Sequence, residues 1–289
     1  MENREQMIEK ANMLTEALAY INRLSGKTVV IKYGGHVMND EFATRTILED
    51  VATLKIIGVN PIIVHGGGPS INDMLERLSI KPLFIDGLRV TDKETMEVVQ
   101  MVLCGKINKD ITSKLNILNV KAIGLSGKDG RLIMAKKKES ENDLGYVGDV
   151  VKINTKVLEM LSKDEFIPVI ASVGTDELGN SYNINADIVA GEVAAALKAE
   201  KLMFLTDVDG VRANPDDENS VIPEMTITMV KELIKSGVIT GGMIPKVMGC
   251  IKGVEQGIHR THIINGTVPH PILLEIFTDK GIGTMIKKG

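Results

Sequence analysis

The sequence predicts an α/β fold, a mainly parallel sheet with helices on both faces, preceded by an amphipathic helix. Three observations lead there. Apolar runs of strand length alternate along the chain with longer stretches of helical spacing, the pattern of parallel strands joined by helical crossovers. Two of these runs, Thr28-Val-Val-Ile-Lys-Tyr-Gly-Gly35 and Pro61-Ile-Ile-Val64 with the following His65-Gly-Gly-Gly-Pro69, end in glycine turns. The 289 residues are 44% hydrophobic, enough for one large α/β domain or two tightly joined lobes.

Taken in order, residues 2–24 read as one helix, because Ile8, Ala11, Leu14, Leu18 and Ile21 recur at three- and four-residue steps and Gly26 ends the pattern. Its apolar stripe packs either on its own body or on another subunit. Strand 27–32 precedes a helix near 41–57, and strand 61–64 precedes one near 69–78. A long helix over 92–118 starts after Thr91-Asp92, an N-cap pair. Strand 120–125 leads into a hairpin-like region near 130–152. Helix 154–163 is followed by strand 166–171, and helix 185–198 by strand 201–205. Helices near 226–236 and 241–256, strand 261–264, and a short helix and strand complete the alternation. The chain shows no internal repeat, low-complexity segment or flexible linker.

Composition excludes several function classes. Net charge is −4 with acids and bases well mixed, which argues against a nucleic-acid surface. The short run Lys136-Lys-Lys138 reads as a solvated turn or hairpin edge. Cys104 and Cys250 form no C-x-x-C pair and no disulfide framework, in keeping with a reducing compartment. The start, Met1-Glu-Asn-Arg-Glu-Gln, lacks an apolar signal core. No stretch approaches the ~18 apolar residues of a membrane span. We expect a soluble, cytoplasmic protein with no membrane or nucleic-acid partner.

The chemistry gathers at glycines and lysines. Lys32 ends the first core strand, and Gly241-Gly-Met-Ile-Pro-Lys246 sets a second lysine at the start of a helical stretch. Two glycine turns and two lysines suit a chain of phosphates. Glycines let backbone N–H groups approach an anion, helix N-termini add partial positive charge, and lysines neutralise charge during transfer. The Gly66-Gly-Gly68 turn fits a phosphate or a carboxylate, or is a tight turn with no ligand. It matches neither G-x-x-x-x-G-K-[ST] nor G-x-G-x-x-G, against a P-loop kinase or a nicotinamide dehydrogenase. Arg89, in Asp86-Gly-Leu-Arg-Val-Thr91, offers a fork suited to a carboxylate, or a surface salt bridge.

In Ser181-Tyr-Asn-Ile-Asn-Ala-Asp187, either Asn185 or Asp187 caps the following helix. Alternatively, a carboxylate there orients both lysines while the Asn183 amide binds substrate polar groups. Leu205-Thr-Asp-Val-Asp-Gly-Val211 is an acid-rich turn or a nucleotide-side loop near hydrated magnesium, with no protein ligand assigned to the metal. The five histidines, His36, His65, His259, His262 and His270, form no metal pattern, and His259 and His262 read as structural residues flanking a strand start. No serine or cysteine stands in a nucleophile elbow, which disfavours a covalent hydrolase.

In their order and spacing, Lys32-Tyr-Gly-Gly35, His65-Gly-Gly-Gly-Pro69, Gly87-Leu-Arg-Val-Thr91, Gly145-Tyr-Val-Gly148, Asn183-Ile-Asn-Ala-Asp187, Thr206-Asp-Val-Asp-Gly210 and Gly241-Gly-Met-Ile-Pro-Lys246 resemble the amino acid kinase family over about 27–288. The pieces around Arg89 and Asn183 resemble the branch acting on N-acetylglutamate. The resemblance implies a three-layer αβα sandwich. It implies an N-terminal oligomerisation helix (1–25), an N-terminal lobe for N-acetylglutamate binding and dimerisation (26–180), and a C-terminal lobe for ATP and an arginine site (181–289). It implies transfer of the γ-phosphoryl group of ATP, with Mg2+ carried on the nucleotide, to the side-chain carboxylate of N-acetyl-L-glutamate, the second step of arginine biosynthesis.

By the same resemblance Lys32 and Lys246 hold the transferring group from two sides and Asp187 orients both. Gly35 and Gly67 offer N–H groups to the phosphoryl oxygens. Gly67, Gly68, Arg89 and Asn183 grip the substrate, with Arg89 on its α-carboxylate. Thr206, Asp207, Asp209, Gly210, Val211, Gly242 and Met243 line the nucleotide site. The first helix resembles the extra helix of arginine-inhibited homohexamers (trimers of dimers), whose arginine site is matched here by Tyr20, His262, Asn265, Glu275 and Gly283. Pro269-His-Pro271 departs from that pattern. Other kinases of the same fold, for carbamate, glutamate or aspartate, and a non-catalytic arginine sensor stand as alternatives.

Overall fold

The computed structural model describes residues 3–214, 216–217, 220–241, 243–278 and 281–289. Asn3 starts the first helix, α1 (Arg4–Leu24), and Gln6 completes a capping box with it. Most of the apolar stripe of α1 (Met7, Ile8, Leu14, Leu18) is exposed, whereas Leu24 at its end is buried in the body. β1 (Thr28–Tyr33) follows, then a 3-10 turn over Gly35–Asn39, α2 (Glu41–Ile56), β2 (Asn60–His65) and α3 (Gly68–Arg77). A small hairpin, β3 (Phe84–Ile85) and β4 (Leu88–Arg89), leads into α4 (Lys93–Gln100), which Asp92 caps by accepting from Thr95 N–H at 2.8 Å.

The long helix expected over 92–118 is not uniform. α4 passes through a π-helical segment, Met101–Ile107, before α5 (Asn108–Ile117). A π turn accommodates an extra residue and is common at functional sites. Here the segment packs on the glycine turn after β2. A Cβ placed on Gly67 would collide with Ile107 Cδ1, and would lie 2.8 Å from Leu103 Cδ2. Glycine at 67 thus lets the turn lie against the ends of these two side chains, which any larger residue would have to displace.

The rest of the chain is β5 (Ala122–Ser126), β6 (Ile133–Lys137), β7 (Gly148–Ile153), α6 (Thr155–Lys163), β8 (Ile167–Ala171), β9 (Val173–Thr175), β10 (Ser181–Asn183), α7 (Ala186–Ala196), β11 (Lys201–Thr206), β12 (Glu224–Thr226), α8 (Ile227–Lys235), α9 (Met243–Glu255), β13 (Arg260–Asn265), α10 (Pro271–Phe277) and β14 (Thr284–Lys287). Eight strands form the central sheet in the order β12-β14-β13-β11-β1-β2-β8-β5. All its pairs are parallel except β13 with β14. The hairpin expected near 130–152 is β6–β7. It joins β9 and β10 in a second, four-stranded sheet, a pairing between distant segments that no local pattern announces.

Period-two alternation divides the core. Val29, Ile31 and Tyr33 of β1 face one layer with residues of α2, α3 and α5. Val30 faces the other with Val189 and Val193 of α7 and Val247 and Ile251 of α9. The result is three layers. Lys32 follows Val30 on the α7 side of the sheet. Its register partners are Val64 on β2 and Phe204 on β11. From β1 the chain builds the sheet to one side through β2 and to the other through β11, so the carboxyl end of β1 is a topological switch point. Crevices at such points are where open α/β sheets bind ligands. Among the described residues no helix is long and apolar enough to cross a membrane.

Candidate active site

The switch point holds an ion pair. Lys32 Nζ lies 3.0 Å from Asp187 Oδ1. Of the two possible caps for α7, Asn185 takes the role, its Oδ1 accepting from Asp187 N–H at 2.8 Å. That leaves the Asp187 carboxylate free to face Lys32, in a first turn where the helix dipole favours negative charge. A Cβ on Gly34 would fall 3.4 Å from Lys32 Nζ and 3.5 Å from Gly66 N. Gly34 has φ of 172°, open to any residue, so glycine here keeps space between the ammonium and the second glycine turn. The neighbouring Gly35, expected to donate to the phosphoryl group, has open space where a Cβ would stand and φ of +73°.

A cavity of about 200 Å³ opens beside this pair. Its lining includes Gly66, Gly67, Gly68, Arg89, Ser172 and Asn183. Arg89 is 7% exposed, which rules out the surface salt bridge. Its Nη2 donates to Asn72 Oδ1 at 2.7 Å and to Gly68 O at 3.3 Å. Its guanidinium lies 4.7 Å from the Phe84 ring centroid. Nη1 is buried with no partner. Burial holds the pKa of this side chain below its ordinary value. A buried cation with one unsatisfied fork fits an incoming carboxylate. Asn183 reaches the same cavity from β10, its Nδ2 donating to Thr91 Oγ1 at 3.1 Å.

Lys246 sits in the first turn of α9, half-buried. Among the described residues its side chain makes no hydrogen bond or ion pair, so Asp187 holds Lys32 alone rather than both lysines. Gly242 lies outside the described residues. A second cavity, about 250 Å³, is lined by Asp207, Asp209, Gly210, Val211, Arg212, Val238 to Thr240 and Met243. Asp209 is braced by Arg212 Nη2 at 3.3 Å and by Asn265 Nδ2 at 2.7 Å. Thr206 stands behind this loop, its hydroxyl donating to Val208 O at 3.0 Å.

A third cavity, about 400 Å³, lies between α1 and the C-terminal strands, with Tyr20, Arg23, Lys201, Arg260, His262 and Glu275 on its walls. Lys201 Nζ donates to His262 Nε2 at 3.0 Å, and His262 Nδ1 donates to Glu275 Oε1 at 2.7 Å. Burial draws the Lys201 pKa down to about 8. Tyr20 meets Phe277 of α10 edge to face at 6.1 Å. Two residues expected in this set are placed elsewhere. Asn265, at the far end of β13, serves the Asp209 loop, and Gly283 supports the site from behind, its N–H donating to Glu275 Oε2 at 3.1 Å. Lys201 was detectable as a charge opening an apolar strand. Asn72, Arg23 and Arg260 carry no local signal.

His65 is structural. Its Nδ1 donates to Gly66 O at 3.0 Å, and its Nε2 accepts from Asn108 Nδ2 at 3.1 Å. Burial draws the imidazole from 6.5 down to about 4. Between those values the unfolded chain binds a proton that the folded chain refuses, so stability rises with pH there. The contribution is full above about 6.5, and roughly 3 kcal/mol is lost as pH falls to about 4. Urea unfolding at pH 7 and pH 4.5 should show His65→Gln losing less stability between the two than the parent chain. Equal losses would contradict this assignment.

The family model of the amino acid kinase family matches residues 27–265. Proteins named acetylglutamate kinase from Caldicellulosiruptor bescii and Methanocaldococcus jannaschii are 57% and 52% identical, over 99% and 98% of this chain and the same shares of their own. The structure of N-acetylglutamate synthase from Neisseria gonorrhoeae, complexed with coenzyme A and N-acetyl-glutamate, matches with a TM-score of 0.86 at 24% identity. That match covers 96% of this chain but 63% of the synthase. Carbamate kinase from Giardia lamblia bound to AMP-PNP matches at a TM-score of 0.66 and 18% identity, over 91% of this chain and 99% of that one. These two share the fold alone. The chain belongs to the amino acid kinase family.

Proposed function

We propose that this chain transfers the γ-phosphoryl group of ATP to the side-chain carboxylate of N-acetyl-L-glutamate, giving N-acetyl-L-glutamyl 5-phosphate in arginine biosynthesis. The observation that carries this is the buried, unpartnered Arg89 Nη1 in a glycine-lined cavity beside the Lys32–Asp187 pair. Curated relatives named acetylglutamate kinase over nearly the full length support the same substrate.

The attacking carboxylate is ionised at neutral pH, so no general base is required. The obstacle is repulsion between an anionic nucleophile and an anionic phosphate, and positioning with charge neutralisation supplies the catalysis. Arg89 takes the substrate α-carboxylate, and Asn183 takes a second polar group. Lys32 holds the phosphoryl group from the β1 side, with Asp187 fixing its ammonium. Lys246 approaches from α9, and closure of residues 26–180 onto 181–289 brings it into place. The cavity at Asp207 to Val211 takes the nucleotide. Oxygen donors there, Asp207 and Asp209, suit a hydrated magnesium ion. Magnesium bound to ATP neutralises phosphate charge. The setting is cytoplasmic.

ADP release with ATP, magnesium and N-acetyl-L-glutamate, together with a hydroxylamine-trapped acyl phosphate, tests this. Turnover of glutamate or carbamate instead would move the substrate within the family. No turnover with any of them, alongside arginine binding, would favour a sensor.

The third cavity supports L-arginine as a feedback effector, its guanidinium at Glu275 and Tyr20 closing over it from α1. The exposed stripe of α1 supports exchange of helices in a homohexamer, a trimer of dimers. Deleting residues 1–24 should abolish both the hexamer in light scattering and inhibition by arginine. Retention of both would defeat this assignment.

A further inference from the structure

Arg89 and Asn183, the two side chains assigned above to the substrate's polar groups, come from distant segments. One hydroxyl joins them. Thr91 Oγ1 donates to Arg89 O at 2.8 Å and accepts from Asn183 Nδ2 at 3.1 Å, across 92 positions of sequence. A threonine hydroxyl has a single proton. With that proton given to Arg89, Thr91 presents only an acceptor to Asn183. It thereby fixes which end of the amide faces inward and leaves Oδ1 and the second Nδ2–H for a ligand.

The backbone reinforces the junction. Thr91 N–H donates to Leu144 O at 3.0 Å, Tyr146 N–H to Thr91 O at 2.6 Å, and Asn183 N–H to Tyr146 O at 2.8 Å. Gly145, at φ of +67°, passes so close that a Cβ there would collide with Thr91 O. Thr91 is 0% exposed and cannot itself touch a ligand. Arg89 is held at its other end by Asn72 and by Gly68 O, at the start of α3. The polar frame thus runs from the glycine turn through Arg89 and Thr91 to Asn183.

We infer that Thr91 is a positioning residue for the acceptor substrate, setting the spacing of Arg89 and the amide orientation of Asn183. This rests on the substrate assignment above. Thr91→Val removes the hydroxyl at nearly constant volume and leaves both partners unsatisfied, whereas Thr91→Ser keeps it. In Thr91→Val the KM for N-acetyl-L-glutamate should rise roughly tenfold or more. Its KM for ATP should stay within about twofold, and Thr91→Ser should stay near the parent in both.

Equal KM values for the acceptor in the valine and serine variants would overturn the inference, as would an equal rise in both substrates' KM. If valine does not fold, Thr91→Ala against Thr91→Ser gives the same comparison of hydroxyl alone. Failure of both valine and alanine variants to fold, with serine folding, would assign the hydroxyl to the fold and overturn the inference. Absence of turnover of N-acetyl-L-glutamate by the parent chain would instead overturn the substrate assignment. The Thr91 comparison would then be read with the carboxylate that the parent does phosphorylate.

Discussion

Lys246→Ala should lower kcat by about 10²–10³-fold, the loss that follows removal of one preorganised group from developing transition-state charge. The side chain sits half-buried in the first turn of α9 with no hydrogen bond or ion pair among the described residues. Its removal breaks nothing that holds the fold, and the melting temperature should stay close to the parent value. The effect belongs to the transition state, so kcat and kcat/KM should fall together. Lys246→Arg should not restore the rate, because a planar fork does not replace a compact ammonium. Initial rates of hydroxamate formation, with a thermal melt on the same preparation, decide the matter. Near-normal turnover in a folded Lys246→Ala protein would remove Lys246 from the chemistry.

Arg89→Ala should act on binding instead. Truncating one partner of a buried charge pair costs about 2–5 kcal/mol, so the KM for N-acetyl-L-glutamate should rise by about 30-fold or more. Stability should change little. The variant loses the bond to Asn72 and the stack on Phe84, but it also loses a buried cation whose Nη1 has no partner in the free protein. Ligand linkage gives a second measurement. N-acetyl-L-glutamate should raise the melting temperature of the parent protein and leave that of the variant unmoved at the same concentration. An unchanged KM, or an equal melting shift in both, would show that the substrate carboxylate binds elsewhere.

Much of this site can be read along the chain, and the unread part has a common cause. Lys32 was legible because a lysine at the end of a strand as apolar as Val29-Val-Ile31 needs a partner or a function. The turn at Gly66 to Gly68 was legible because successive glycines between a strand and a helix admit close backbone approach. The sequence left two candidate caps for α7. Both short polar side chains satisfy the same local rule, and only the position of Lys32 across the layer shows that Asn185 caps while Asp187 pairs. Asn265 entered the effector set with His262 through the resemblance of their shared segment. On a strand, residues three positions apart point to opposite faces and lie at different heights along the sheet, and Asn265 accordingly meets Asp209 instead.

The π segment over Met101–Ile107 escaped for a different reason. Its apolar spacing suits an ordinary helix equally well, and what distinguishes it is contact with Gly67 from another element. Local pattern by itself determined the longer strands of the central sheet, most of the helices, the parallel architecture and the residue types able to handle phosphate and carboxylate, while the short strands β3, β4, β9, β10 and β12 carried no such pattern. What it determined follows from short-range sterics and the separation of apolar from polar faces, which act on neighbours in sequence. Only tertiary structure decided that Arg89 is buried with a free nitrogen, that Thr91 ties it to Asn183, and that Lys201, His262 and Glu275 form one hydrogen-bonded row. Those outcomes depend on desolvation and on distances between segments far apart in the chain, and neither quantity exists until the layers have packed.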